Sequence, residues 1–266
     1  MRVRLDVELV RRGLARSREH ATELIASNLV LVRGMPASKA ATAVNAETSI
    51  TVNLQGDDYV SRGGHKLAGA LDAFPDIKVL DAVVLDAGAS TGGFTDVVLR
   101  RGAKKVFAVD VGYGQLAWNL QTDPRVVVHD RTNIRTISPE LIKEPVDLVV
   151  ADLSFISLNL VLPALQSVAK KSADFLLMVK PQFEVGKENL GAGGVVREQE
   201  LRKAAVYEVA ANAKRLGLGT VGVVASPLPG PSGNVEYFLW LKQNDGLQSD
   251  LALKEAIANA VEKGPQ

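Results

Sequence analysis

Residues 83–180 constrain the fold more than any other part of this chain. They hold five short apolar runs, each halted by a polar or charged residue. Residues 83–85 end at Asp86, 106–109 at Asp110, 126–128 at His129 and Asp130, 148–151 at Asp152, and 175–179 at Lys180. Runs this short and rich in valine and leucine read as strands buried on both faces. Helices are expected between them, beginning at Val97, Val98 and Leu99 and then around 115–122, 157–170 and 198–216. The alternation predicts an α/β domain built on a doubly wound parallel sheet. Residues 221–225 and 235–241 supply two late strands that can pair antiparallel at one edge. Ligands of such sheets bind beyond the carboxyl ends of the strands, which puts the residues that halt the runs at the binding crevice.

The first strand enters its helix through Asp86-Ala87-Gly88-Ala89-Ser90-Thr91-Gly92-Gly93-Phe94. Glycines there let the backbone approach a ligand, and Asp110, about twenty residues on, is placed to accept hydrogen bonds from ribose hydroxyls. The spacing departs from G-x-G-x-x-G, because Gly88 is followed by Gly92 and Gly93, and this disfavours a dinucleotide pyrophosphate.

The N-terminal segment has a different character. Residues 1–40 hold Arg2, Arg4, Arg11, Arg12, Arg16, Arg18, Arg33 and Lys39 against Asp6, Glu8, Glu19 and Glu23, although the whole chain has a net charge of only +1. Leu5, Leu9 and Val10 recur at helical spacing, with Gly13 at the position of a left-handed cap. Ser17 reads as the N-cap of a second helix with Ala21, Leu24 and Ile25 on its apolar face. Residues 29–33, turned by Gly34 and Pro36, and residues 48–54 read as strands. A basic helix pair of this kind is either a solvated surface or a phosphate-docking face.

Three resemblances rest on these residues. Residues 2–55 resemble the S4 RNA-binding domain, through Arg4-Leu5-Asp6, Leu9, Gly13, Ala15-Arg16-Ser17-Arg18, Ala21, Leu24-Ile25 and the run from Leu29 to Gly34. The glycine loop resembles that of class I (Rossmann-like) S-adenosylmethionine methyltransferases, and Lys66, Asp152, Lys180 and Glu236 resemble the tetrad of FtsJ/RrmJ-like 2′-O-methyltransferases. Nearly the whole chain resembles the TlyA family of S4-containing rRNA methyltransferases. That likeness runs through Ser61-Arg62-Gly63-Gly64-His65-Lys66-Leu67, the loop from Asp86 to Thr95, Asp110-Val111-Gly112-Tyr113-Gly114-Gln115-Leu116, Ala151-Asp152-Leu153-Ser154-Phe155-Ile156-Ser157, the run from Val179 to Gly186, and the run from Ser226 to Phe238.

The resemblance implies methylation of a cytidine 2′-hydroxyl in 16S or 23S rRNA within ribosomal subunits. Lys180 would activate the hydroxyl, Asp152 and Glu236 would orient it, and Lys66 would steer substrate and favour the uncharged form of Lys180. Asp86, Gly88, Ser90, Thr91, Gly92, Gly93, Phe94, Asp110, Asp130 and Asp152 would form the S-adenosylmethionine site. Asp86 would hold a water or the methionine amino group, while Asp130 would face the adenine amine or serve as a turn residue. Arg2, Arg4, Arg16, Arg18, Lys39 and Arg62 would contact RNA, and no metal is implied. Phe155 and Phe183 would either stack an extruded base or pack in the core.

The expected division is an S4-like α+β domain at 1–55, a short acidic linker at 56–60 and the methyltransferase domain at 61–266. The chain has no cysteine, which excludes disulfides, thiolate metal sites and cysteine nucleophiles. No apolar stretch approaches the roughly 18 residues of a membrane span, and the N-terminus lacks the apolar centre of a secretory signal. The expectation is a soluble, cytoplasmic monomer. Three rivals remain: a non-catalytic RNA-binding assembly factor, the haemolysin whose name the family has also carried, and an NAD-type dehydrogenase, which the loop spacing and the lack of a hydride-transfer site oppose. The arginines ahead of Leu5 and the helix-like tail from Leu251 to Lys263 suggest the longer family form, acting on both subunits.

Overall fold

A computed structural model describes residues 3–15, 17–26, 29–52, 59–246 and 249–265. The chain divides into two compact units, Met1–Asp58 and Tyr59–Gln266.

The small unit runs β1 (Val3–Arg4), α1 (Leu5–Arg11), α2 (Arg18–Ala26), β2 (Val30–Val32), β3 (Met35–Pro36), β4 (Ala43–Val44) and β5 (Ile50–Val52). β1 pairs antiparallel with β4, and β3, β2 and β5 form a three-stranded sheet. Gly13 adopts φ +70° just beyond α1, and Ser17 Oγ accepts a hydrogen bond from His20 N at 3.2 Å at the start of α2. Both punctuation marks fall where the sequence puts them. Leu5, Leu9, Ala21, Leu24 and Ile25 bury against Val30 and Val44. Leu54, expected in the last strand, lies outside the described residues.

The large unit runs α3 (Arg62–Ala73), β6 (Val83–Ala87), α4 (Gly93–Arg100), β7 (Lys105–Val109), α5 (Trp118–Gln121), β8 (Val126–His129), β9 (Val146–Ala151), α6 (Leu162–Ser167), β10 (Ala169–Val179), α7 (Gln199–Arg215), β11 (Leu218–Ala225), β12 (Tyr237–Gln243) and α8 (Asp250–Lys263). Its seven strands lie in the order β11-β12-β10-β9-β6-β7-β8. The pairs β10–β9, β9–β6, β6–β7 and β7–β8 are parallel, whereas β12 runs antiparallel to both β10 and β11. Alternation along each strand feeds two cores. Leu85, Val149, Leu177 and Tyr237 pack with α6, α7 and α8; Val84, Leu148, Leu176 and Phe238 pack with α3, α4 and α5.

Several elements differ from the sequence reading: α3 is not foreseen, and α4 begins at Gly93, a turn ahead of Val97. The helix expected over 157–170 ends at Ser167, because Ala169 pairs with Val146 and begins β10. The polar start of that strand, Lys170-Lys171-Ser172, hides it from an apolar pattern, yet Lys170 is anchored by Asp147 at 2.7 Å. The helix around 115–122 contracts to Trp118–Gln121. Tyr59 and Val60, expected in the linker, pack on the large unit. Tyr59 stands edge-on to His65, the Arg100 guanidinium lies 5.0 Å from its ring centre, and Val60 N donates to Asp96 Oδ2 at 3.0 Å.

Candidate active site

Parallel pairing decides which polar side chains meet. Asp152 is the first residue after β9 and Lys180 the first after β10, so adjacent strands deliver them to one rim. Glu236 reaches the same rim from the opposite direction, because it precedes the antiparallel strand β12. Lys66 comes from α3, which carries Leu67, Ala70 and Leu71 into the core on the same side. Gly64 makes that seating possible, since a Cβ there would lie 2.2 Å from the Tyr59 side chain.

The four residues form two lysine–carboxylate pairs. Lys66 Nζ donates to Glu236 Oε2 at 2.5 Å, with the lysine 6% and the glutamate 1% exposed. Gly230 closes over this pair so tightly that a Cβ would lie 2.7 Å from Glu236 Oε1. Lys180 Nζ stands 2.6 Å from Asp152 Oδ1, but off the hydrogen-bond direction, and donates instead to Ser154 Oγ at 2.9 Å. In the first pair the carboxylate is sealed and Lys66 forms its cavity-facing end. The second is poised beside open space, a cavity of about 420 Å³ lined by Lys66, Asp152, Ser154 and Lys180. Behind it, Glu184 ties the two rim loops together, accepting from Ser157 Oγ at 2.6 Å and Leu158 N at 2.9 Å. Burial pushes the Glu184 carboxyl above its ordinary range, and those two donors oppose the shift.

The glycine loop forms the facing wall. Gly88, Ser90, Thr91, Gly93 and Phe94 line the cavity, as does Arg62 at its edge. Gly88 adopts φ +85° and passes so close to the chain after β9 that a Cβ would lie 2.6 Å from Asp152 O. Gly92, at φ +99°, turns away and packs on Leu116 and Leu120. Asp110 accepts from Ser90 N at 2.8 Å and Gly112 N at 2.7 Å. Asp130 accepts from Gly114 N at 2.8 Å. These two carboxylates shape the loops and do not line the cavity.

The FtsJ-like methyltransferase family matches residues 59–243, and the S4 domain matches residues 3–50. The 16S/23S rRNA (cytidine-2′-O)-methyltransferase TlyA of Mycobacterium tuberculosis is 59% identical over 266 residues, covering 99% of each chain. This chain belongs to the TlyA family of FtsJ-like methyltransferases. Hemolysin A of Brachyspira hyodysenteriae, 35% identical over 88% of this chain and 98% of its own, is a further relative. The solved structure of a Streptococcus thermophilus protein described as a hemolysin superposes with a TM-score of 0.73 at 38% identity, over 98% of this chain and 96% of that one. Among the described residues no helix is long and apolar enough to cross a membrane.

S-adenosylmethionine is the methyl donor of such an enzyme, and the residues present fit it. Gly88, Ser90, Thr91, Gly93 and Phe94 leave one wall of the cavity open beside Asp152. Beneath the loop, Asp86 is 0% exposed; its Oδ2 accepts from Thr95 Oγ1 at 2.6 Å, and its Oδ1 has no partner. A cofactor bearing positive charge suits such a carboxyl. Burial pushes Asp86 up to about 7 against the Thr95 hydrogen bond, with the charges of Asp152 and Asp110 adding to the rise.

Of the residues expected on RNA, Arg4 and Arg18 converge on the buried Asp6, at 3.0 and 2.9 Å, with their own side chains half exposed. Lys39 is exposed. Arg2 and Arg16 lie outside the described residues. Arg11 and Arg12 are engaged by Glu8. Sequence reasoning assigned no role to Ser61, Ser154, Pro229 or Pro231, which line the cavity. The recurrence of prolines around Gly230 signals a stiff loop, and Ser154 stands two residues beyond Asp152, but neither spacing announces a contact. Phe155, left open between stacking and core packing, is 91% exposed at φ +64°, its ring 5.2 Å from that of Phe183.

Proposed function

We propose that this protein methylates the 2′-hydroxyl of a cytidine ribose in rRNA, within the small, the large or both ribosomal subunits, with Lys66, Asp152, Lys180 and Glu236 as its catalytic set. One observation carries the reading: a lysine held beside an open cavity by a serine and an off-axis carboxylate, with a second, sealed lysine–glutamate pair on the same rim. When bound, S-adenosylmethionine supplies a methyl group on a sulfonium, a good leaving group. The protein's task is then to align a weakly acidic hydroxyl and receive its proton.

Lys180, in its uncharged form, accepts the 2′-hydroxyl proton as the oxygen–methyl bond forms and the sulfur–methyl bond breaks. Asp152 orients the ammonium that results and keeps it near the site. Ser154 holds the lysine at rest and releases it when a ribose hydroxyl replaces the serine. Lys66, fixed by Glu236, fronts the cavity with positive charge and steers the phosphate backbone. Gly88, Ser90, Thr91, Gly93 and Phe94 form the cofactor wall, with Asp86 beneath it; Gly92, Asp110 and Asp130 hold the loop in shape. Phe155 offers an exposed ring face to an extruded base. Arg2, Arg4, Arg16, Arg18 and Lys39 dock RNA through phosphates, and Arg62 meets RNA at the cavity edge. The protein acts as a cytoplasmic monomer, and its likeness over full length to a relative whose name covers 16S and 23S rRNA supports action on both subunits.

Methyl transfer from labelled S-adenosylmethionine to unmodified small and large subunits tests the reading. Label on a ribose 2′-oxygen that Lys180→Ala abolishes supports it. Absence of label on both subunits, with cofactor binding intact, overturns it in favour of the assembly-factor reading.

A further inference from the structure

Three carboxylates converge under the cofactor loop. Asp86 lies in β6, paired with Ala108 and Val150, while Asp110 follows β7 and Asp152 follows β9, two residues further along on either side of Gly88. Their surroundings differ. Asp110 is satisfied by two backbone N–H groups, and Asp152 has Lys180 Nζ at 2.6 Å. Asp86 draws its donors from Thr95 of α4 alone, the hydroxyl at 2.6 Å on Oδ2 and the backbone N–H. Its other oxygen is buried without a partner, and no basic side chain pairs with it among the described residues. A fully buried ionised carboxylate with donors from a single residue, no cation and two negative neighbours is costly in an apolar interior. The same group carrying a proton is cheap there.

Resting on the proposed methyl transfer, we infer that Asp86 holds a proton in the cofactor-free enzyme and releases it to solvent when the sulfonium cofactor binds. The exchange is one charge for another. The methyl donor carries a sulfonium, an ammonium and a carboxylate, for a net charge of one plus; after transfer the product carries a neutral thioether and no net charge. An ionised Asp86 therefore favours the donor, and a protonated Asp86 loses that preference. Asp86 acts as a positioning and specificity residue: by changing protonation it lets the site tell a loaded cofactor from a spent one.

Titration calorimetry on the full chain, in two buffers of different ionisation enthalpy, counts the protons released with either S-adenosylmethionine or S-adenosylhomocysteine. At about pH 6 the donor is expected to release about one proton and the product substantially less. Donor affinity is expected to strengthen several-fold as pH rises from about 6 to 7.5, across the raised ionisation of Asp86. Asp86→Asn keeps the size and the Thr95 contact, so the fold is retained; in this variant the release is lost and donor affinity becomes flat with pH. No release by the donor, or release that persists in Asp86→Asn, overturns the inference while leaving methyl transfer standing. Equal release by donor and product also overturns it, because the exchange would then belong to the ammonium that both ligands share. Failure of the wild type to bind either ligand at any pH overturns this inference and the cofactor reading together.

Discussion

Lys66–Glu236 and Lys180–Asp152 contain the same two functional groups and behave as different devices. In the first, both partners are buried and bonded to each other, under a loop that Gly230 allows to close. In the second, the lysine hydrogen-bonds a serine while its carboxylate waits off axis beside the cavity. A sealed ion pair is a fixed charge distribution, whereas an open one has a proton and a position to trade. The difference arises from backbone architecture: one pair joins a helix to a strand start across 170 residues, and the other joins the ends of neighbouring parallel strands.

Breaking the open pair has the largest expected effect on chemistry. Lys180→Ala lowers kcat by roughly 10²–10⁴-fold, the usual worth of a general base, while cofactor affinity measured by calorimetry stays within about threefold. The sealed pair breaks differently. Glu236→Ala strands a buried lysine charge and is expected to cost about 3–5 kcal/mol of stability, read as a lowered denaturation midpoint. The double variant Lys66→Met, Glu236→Leu recovers most of that stability and stays inactive; a double variant that remained as unstable as Glu236→Ala would show that the pair is structural glue. Asp152→Asn keeps the shape of the open pair without its charge, and a loss of about 10–100-fold in kcat is expected, larger than its effect on the denaturation midpoint. Ser154→Ala removes only the resting partner of Lys180 and changes kcat by less than about fivefold; a larger loss would make the serine part of the chemistry.

A weaker contrast of the same kind separates the two units by pH. Hydrogen bonds from Arg4, aided by Arg18 and opposed by burial, hold Asp6 down to about 2, and Arg11 and Arg12 do the same for Glu8. A depressed carboxylate contributes stability that is present above its unfolded value near 4 and is lost as pH falls towards 2. Asp86 is raised, so its contribution is complete below about 4 and disappears as pH rises through about 7. Hydrogen exchange on the cofactor-free chain should show α1 losing protection between about pH 4 and 2. The amides of β6 should gain protection as pH is lowered from about 7 to 5.

The sheet was legible because each buried strand stops at a polar residue. Asp110, Asp152 and Lys180 follow their strands directly, whereas Asp86, read as the end of its run, lies inside β6, which continues to Ala87. α3 was not legible as an element, since Gly63 and Gly64 weaken a helical pattern and the need for Gly64 appears only once Tyr59 is packed against it. β10 was truncated because its first residues are polar and are stabilised by ion pairing rather than burial. Within the site, the residue types were readable and the partnerships were not. That Lys180 rests on Ser154, or that one oxygen of Asp86 is left without a donor, depends on angles and enclosure, which have no signature in residue spacing.

The reversed direction of β12 has an evolutionary consequence. Glu236 arrives at the rim as its strand begins, after the Pro-Gly-rich loop from β11, whereas Asp152 and Lys180 arrive as theirs finish. The loop ahead of Glu236 therefore belongs to the substrate-facing side while the acid itself is indexed from the sheet. Substitutions at Pro229 and Pro231, which line the cavity, can reshape its mouth while Gly230 keeps its place over the acid. A one-residue slip inside β12 would instead turn Glu236 to the opposite face of the sheet and exchange it with Tyr237. Diversity in target choice is thus free to accumulate in the loop, while the strand keeps the register of the chemistry.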